Sequence, residues 1–158
     1  LHEFIHHYLI DRKLKLPFEY HEALGDILGN YGTIEFAEQS PYVNKNRAIA
    51  QRSRNESLYR AINKSIERIN RDSTQVSRVN TWCQRKVNKV LGEDLFQNDR
   101  FNYTVNNAFL FRYRAYTEKY FVLKKLLKKQ KSIHGLLSIV EKGPSNPKDF
   151  ERYLHEIR

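Results

Sequence analysis

The spacing of apolar residues predicts a chain built from amphipathic helices, beginning with a helical pair at its start. Residues 1–13 are predicted to form the first helix, which Pro17 separates from the next one. Residues 18–39 then carry a broad apolar side at helical spacing, formed by Leu24, Ile27, Leu28, Tyr31, Ile34 and Phe36. Ser40-Pro41 is predicted to end this second helix.

Two further helices are predicted in the middle of the chain. Ser53 and Glu56 have the spacing of a capping box, which predicts that a third helix starts there. Thr74 is predicted to cap a fourth helix, and Gly92 to close it. Both helices have an apolar stripe, formed by Leu58, Ala61, Ile62, Ser65, Ile66 and Ile69 in the third and by Val76, Val79, Cys83, Val87 and Val90 in the fourth. Trp82 flanks the second stripe and is predicted to pack against it.

The last third of the chain is also predicted to be helical. A long aromatic-rich helix is expected over residues 103–131, and a short one over 132–142. Asn146 and Pro147 then have the order of an N-cap and a first helical residue, which predicts a final helix. With only six Gly and four Pro in 158 residues, the composition does not favour an all-β chain, and a mainly α fold is expected.

Metal-binding chemistry is indicated by the first residues, His2-Glu3-Phe4-Ile5-His6. On a helix His2 and His6 lie one turn apart on one face, so that both imidazoles can bind one zinc ion. Glu3 lies beside that face, where a carboxylate can take a proton from a water activated by the metal. This predicts His2 and His6 as zinc ligands and Glu3 as a general base.

Catalytic zinc sites have three protein ligands, so a third ligand is needed. Glu22 follows His6 after enough residues for the second helix to fold back over the first. Asp26 lies one turn beyond Glu22, where it can accept a hydrogen bond from the free ring N–H of a ligand histidine. Glu19 is a competing third ligand, but no acid lies one turn after it. Glu22 is therefore preferred.

These segments resemble the zinc-binding region of the gluzincin peptidases, and most closely the bacterial predicted-aminopeptidase family. The resemblance rests on HEFIH followed by PFEYHEALGDILGNYGTIEF, in which Gly29 and Gly32 match two glycines of the family pattern. It continues downstream at Asn106-Asn107-Ala108-Phe109-Leu110 and at Tyr116. The chain departs from the pattern at His21, where Asn is expected before the ligand Glu, and in a longer loop before Glu22.

The resemblance implies a zinc-dependent peptidase acting on peptide or protein substrates, with an aminopeptidase as the expected type. Asn106 and Asn107 are candidate substrate-binding residues, although capping and buried hydrogen bonding explain paired asparagines equally well. Tyr116 is a candidate donor to the oxyanion, with core packing as the alternative. The family's β-sheet lies upstream of its zinc motif, so this chain is expected to be the helical C-terminal part of a longer protein of the bacterial cell envelope.

Residues 1–39 are thus expected to form the zinc-binding helix pair of a catalytic domain, with 40–158 packed on it as a helical region of the same structural unit. A structural zinc site, in which a fourth side chain completes the coordination, is a competing hypothesis. The absence of paired cysteines does not favour it.

The positive charge of the chain leaves a non-catalytic alternative open. The chain has 28 Lys and Arg against 18 acids, and twelve of these basic residues lie in 45–89 beside three acids. A run of this kind is typical of a solvated face, but it also suits binding to an anionic membrane surface or to nucleic acid. Nucleic acid is not favoured, because the run contains no known binding motif and no aromatic residues interleaved with the basic ones.

Overall fold

The computed structural model describes residues 2–91 and 104–157, which form helices and no strand. The helices are α1 (His2–Asp11), α2 (Phe18–Gln39), α3 (Lys45–Arg71), α4 (Val76–Leu91), α5 (Asn107–Thr117), α6 (Tyr120–Gln130), α7 (Ile133–Lys142) and α8 (Pro147–Glu156), with a 3₁₀ turn (Ser73–Gln75) before α4. The predicted mainly α fold is confirmed. None of the helices within these ranges is both long and apolar enough to cross a membrane.

Helix α2 lies at the centre of the packing. It contacts α1, α3, α5, α6 and α7, so four of the later helices pack directly on α2. Its residues Ala23, Leu24, Ile27 and Leu28 are buried, which agrees with part of the predicted apolar side. The main core joins them to Leu9, Tyr20, Tyr59, Tyr120, Leu123, Leu126, Leu127, Leu136, Val140, Phe150 and Leu154.

A second core lies between α3, α4 and the start of α5. It consists of Ile62, Cys83, Val87, Val105 and Leu110, with Trp82 partly buried against it. The predicted stripes of the third and fourth helices therefore face each other, and apolar burial holds this second layer together.

The prediction that α3 starts at a Ser53–Glu56 capping box is wrong. Asn44 is the N-cap, because its side chain accepts a hydrogen bond from the backbone N–H of Arg47, and the helix begins at Lys45. Nothing between Lys45 and Ser53 breaks a helix, so the earlier cap determines the start.

The predicted cap of α4 is also wrong in its position. The Asp72 carboxylate, rather than the Thr74 side chain, accepts a backbone hydrogen bond, at 3.0 Å from the Thr74 nitrogen. The 3₁₀ turn follows Asp72, and α4 begins only at Val76. The predicted closing residue, Gly92, lies outside the described residues.

The long helix predicted over 103–131 is instead two helices, with a break at Glu118 and Lys119. Asn63 of α3 donates a hydrogen bond from its side-chain amide to the backbone carbonyl of Thr117, at 2.8 Å. The Thr117 hydroxyl in turn donates to the Asn63 side-chain oxygen, at 2.6 Å. A side chain inserted into the helical hydrogen-bond ladder interrupts it, and α6 starts anew at Tyr120.

The end of the chain agrees with the sequence. The Asn146 side chain accepts hydrogen bonds from the backbone N–H groups of Lys148 and Asp149, and Pro147 is the first residue of α8. Phe150 and Leu154 are buried in the main core, so the final helix packs against the other helices.

A buried ion pair connects α3 to α6 and generates a prediction about stability. The side chain of Glu56 is 9% exposed and pairs with Lys124, whose own side chain is 14% exposed. The hydroxyls of Tyr31 and Tyr120 lie 3.4 Å from the same carboxylate.

Arg60 also lies near this carboxylate, at 3.6 Å, but its side chain is 62% exposed. Lys124→Met should therefore leave the buried carboxylate with only this solvent-exposed cation and lower the free energy of unfolding by about 2 kcal/mol. The double variant Lys124→Met with Glu56→Gln should recover most of the loss, because no uncompensated charge remains. Urea denaturation measures both. Lys125→Met, at the exposed neighbouring position, is the matched control and should change little; an equal effect of the two single variants would contradict the prediction.

Candidate metal centre

Helices α1 and α2 bring two histidines and one glutamate together. The Nε2 atoms of His2 and His6 lie 2.9 Å apart. One oxygen of Glu22 lies 3.6 Å from Nε2 of His2, and the other lies 3.7 Å from Nε2 of His6. Among the described residues, these three form the one group of His, Cys, Asp or Glu side chains close enough to hold a metal ion.

The spacing of these atoms suits a tetrahedral ion. Ligand atoms about 2.0–2.1 Å from a zinc ion are about 3.3 Å apart when they are arranged tetrahedrally. The distance between the two imidazole nitrogens, 2.9 Å, and the distance from each of them to its nearer Glu22 oxygen, 3.6 and 3.7 Å, lie on either side of that value. One donor atom from each of the three residues lies within 4.8 Å of the other two. Glu22 is also buried, at 8% exposure, so its carboxylate lies where a cation offsets the cost of removing it from water.

The second ring nitrogen of His2 is held by an acid. Its Nδ1 lies 3.0 Å from Oδ1 of Asp26, the residue predicted to orient a histidine. The Tyr59 hydroxyl donates to Oδ2 of the same carboxylate at 2.5 Å. Burial raises the pKa of Asp26, whereas the Tyr59 hydrogen bond and His2 lower it. Burial and the negative charge of Asp26 raise the pKa of the Tyr59 hydroxyl, which therefore remains a hydrogen-bond donor.

The second ring nitrogen of His6 meets another histidine. Nδ1 of His6 lies 2.8 Å from Nδ1 of His21, with the two ring planes only 6° apart. Burial lowers the pKa of His21, and repulsion from His6 lowers it further, which favours a neutral ring. A neutral His21 protonated on Nε2 accepts the Nδ1–H of His6 and leaves Nε2 of His6 free for a metal.

The glycine at position 25 leaves room for the His2 ring against α2. A Cβ atom added to Gly25 would lie 2.9 Å from Cε1 of His2, closer than such atoms approach in proteins. The His2 ring therefore lies directly against the backbone of α2. At Gly29, one of the two glycines of the resemblance, an added Cβ would lie 3.7 Å from the His2 backbone nitrogen, an ordinary contact. The backbone of α2 at Gly25 therefore determines where the His2 ring can lie.

Tyr116 of α5 borders the same cluster. Its ring centroid lies 6.2 Å from that of His2. Burial raises the pKa of its hydroxyl, and the charge and hydrogen bond of Glu22 raise it further. Glu3 lies on the exposed side of α1, and no ion pair or hydrogen bond holds its carboxylate within the described part of the chain.

Three other predicted candidates have different surroundings. Glu19 is not a member of the cluster. The hydrogen bond and the charge of Glu118 raise the pKa of the Arg114 guanidinium, and the charge of Glu19 adds a smaller effect. Asn106 is the N-cap of α5, accepting a hydrogen bond from the Phe109 backbone, as the capping alternative expects. The Asn107 side-chain oxygen accepts one from Asn80 at 3.2 Å. The role of Asn106 and Asn107 in substrate binding stays a prediction.

Sequence reasoning missed three residues that shape the centre: His21, Gly25 and Tyr59. His21 immediately precedes Glu22, but in the sequence it is only a departure from the family pattern, with no sign that it contacts His6. Gly25 lies between Glu22 and Asp26 in the sequence. A glycine at that position is the one feature of the sequence that could have indicated a close contact there. Tyr59 comes from α3, 33 residues after Asp26, and no spacing rule connects them.

Comparisons with models of known protein families, with characterised proteins and with solved structures find no match to this chain.

Proposed function

We propose that this chain carries the zinc centre of a metallopeptidase, which hydrolyses peptide bonds in peptide or protein substrates. The observation that carries the proposal is the proximity of two imidazole groups and a buried carboxylate, whose donor atoms lie within 4.8 Å of one another. Two histidines and one glutamate are the ligand set of a well-known class of catalytic zinc sites, and both imidazoles have a partner on their other nitrogen.

The number of ligands favours catalysis over a structural site. Asp26 and His21 contact the Nδ1 atoms of the ligand histidines, on the ring side away from Glu22. Within the described ranges no fourth ligand joins the group. A site with three protein ligands leaves one position for water or substrate, whereas structural zinc sites use four. This is the argument against the structural-zinc hypothesis.

The protein's own residues would divide the remaining chemistry. Bound zinc would supply Lewis acidity, which polarises a carbonyl and makes water acidic. Glu3 would accept the proton from the attacking water and then donate it to the leaving amine. The Tyr116 hydroxyl, which keeps its proton because of its raised pKa, would donate to the developing oxyanion. Hydrolysis by this route needs no covalent intermediate.

The proposed kind of peptidase depends on the family resemblance. It favours an aminopeptidase, which must recognise the free amino group of its substrate. Asn106 and Asn107 are the substrate-binding residues that the resemblance supplies, and the side-chain NH₂ group of each would donate a hydrogen bond to a substrate carbonyl.

The zinc content of three variants should distinguish the proposed ligand Glu22 from the proposed base Glu3 and from Glu19, which is in neither role. The wild type should bind about one zinc ion per chain, Glu22→Gln should lose it, and Glu3→Gln should keep it, because the base lies outside the coordination shell. Glu19→Gln is the control for the competing ligand and should also keep its zinc. Elemental analysis after gel filtration measures the content.

Digestion of a peptide mixture followed by mass spectrometry tests the reaction with the same variants. Wild type and Glu19→Gln should cleave, and Glu3→Gln should be inactive although it contains zinc. A folded wild type that binds no zinc when zinc is supplied would exclude the proposed centre. Bound zinc without any peptide cleavage would reject the peptidase assignment alone.

Gly25→Ala should weaken zinc binding roughly tenfold or more, because its Cβ would displace the His2 ring. Alanine has a higher helix propensity than glycine by about 1 kcal/mol, which offsets part of the strain. The free energy of unfolding should therefore fall by less than the free energy of zinc binding. Gly29→Ala is the matched control, with the same gain in propensity and an ordinary contact. Zinc affinity by competition with a chelating dye distinguishes them; equal affinities would show that Gly25 does not position His2.

His21→Ala should weaken zinc binding by about 10- to 100-fold, the usual effect of removing a partner that orients a ligand histidine. His7→Ala is the control, because His7 also neighbours His6 in sequence but is exposed. The visible absorption spectrum of the cobalt-substituted protein should change in the His21 variant, since His6 loses its fixed orientation. An unchanged affinity and spectrum would assign His21 to packing.

A further inference from the structure

A second concave site lies in the other half of the molecule, between the end of α3, the 3₁₀ turn and α4. Its volume is about 550 Å³, within the range of sites that hold small molecules. Its lining residues are Arg68, Arg71, Asp72, Gln75, Val79, Trp82, Arg78 and Arg85. None of the proposed zinc ligands belongs to it, and we refer to it as the arginine hollow.

The hollow is strongly positive. Four guanidinium groups line it against one carboxylate, and within residues 2–91 and 104–157 none of the four forms an ion pair. The one acid, Asp72, already accepts hydrogen bonds from the backbone and hydroxyl of Thr74 and from the Gln75 amide. Its carboxylate is therefore occupied in capping the turn. Unpaired guanidinium groups around one volume repel each other, and an anion between them removes that repulsion.

An aromatic wall holds part of this charge in place. The Arg68 guanidinium lies 4.6 Å from the centroid of a Trp82 ring, and the Lys86 ammonium lies 5.8 Å from it. Stacking on an indole limits the freedom of an arginine side chain, so less entropy is lost when it binds a ligand. The sequence does not predict an aromatic residue in contact with the basic ones, because Arg68 and Trp82 are 14 positions apart. The packing of α3 against α4 brings them together.

We propose that the arginine hollow binds a small ligand that carries linked phosphates, such as the diphosphate or triphosphate group of a nucleotide or inorganic polyphosphate. Planar guanidinium groups match phosphate oxygens in pairs, and four of them suit several phosphates better than one. A small ligand is favoured over nucleic acid because the basic groups converge on one hollow. A polymer backbone would instead need a groove that continues along the surface.

The test uses the single tryptophan of the chain, Trp82, as the reporter. Tripolyphosphate is titrated into the protein while Trp82 fluorescence is recorded, and calorimetry with tripolyphosphate, ATP and inorganic phosphate runs in parallel. No zinc is added, so chelation by phosphates does not contribute and the result is independent of the proposed metal centre. Saturable binding of one tripolyphosphate with a change in fluorescence is expected, with inorganic phosphate much weaker.

Arg78→Gln combined with Arg85→Gln should weaken tripolyphosphate binding by roughly tenfold for each guanidinium removed. Lys125→Gln combined with Lys128→Gln is the matched control, because it removes two positive charges from exposed positions of α6 outside the hollow. Circular dichroism confirms that both double variants are folded. Equal weakening in both would show that net charge alone attracts the phosphates, which would overturn the proposal.

Titrations with ATP and with a single-stranded oligonucleotide identify the kind of molecule that carries the phosphates. Tighter binding of ATP than of tripolyphosphate would assign the ligand as a nucleotide, and equal binding would assign free polyphosphate; both support the hollow. Binding of a single-stranded oligonucleotide that strengthens with length and exceeds that of tripolyphosphate would overturn the proposal in favour of nucleic acid. Absence of saturable binding by both tripolyphosphate and ATP would reject it.

Discussion

The close approach of α1 to α2 at Gly25 is the constraint on which the candidate centre depends. With no side chain at this position, the His2 imidazole lies against the helix backbone. This contact sets His2 between Glu22 and Asp26, which lie one turn apart on the same helix. His6, one turn along α1, then faces Glu22 with one nitrogen and His21 with the other. A bulkier residue at position 25 would displace the His2 ring from its place beside Glu22 and Asp26.

The same central helix connects the centre to the core. Ala23, Leu24, Ile27 and Leu28 of α2 are buried among the other helices, while Glu22 and Asp26 face the histidines. Tyr59 reaches Asp26 from α3, which ties the orientation of a candidate ligand to the packing of a helix outside the first pair. Packing around α2 therefore fixes the ligand geometry in advance, which lowers the cost of binding a metal.

The two proposals concern different parts of the chain and different chemistry. The proposed zinc centre uses two imidazoles and a buried carboxylate held between α1 and α2. The arginine hollow uses exposed, unpaired guanidinium groups around Trp82 on α3 and α4. The first suits a cation and the second suits an anion, so a single ligand does not explain both. If both proposals are correct, a phosphate-bearing ligand and a zinc ion bind the same chain through different side chains and do not compete.

Local periodicity predicts that the chain is helical, although it misplaces the starts of α3 and α4 and misses the break between α5 and α6. It also places His2 with His6, and Glu22 with Asp26, because a helical turn fixes which side chains share a face. It also predicted the Asn146–Pro147 start of α8, since capping depends on adjacent residues. Only the tertiary structure decided contacts between distant segments: Asn63 interrupting a helix at Thr117, Tyr59 on Asp26, and Arg68 over Trp82. Helical spacing carries no information on which faces of separate helices meet, because that depends on how the apolar surfaces of the whole chain are buried together.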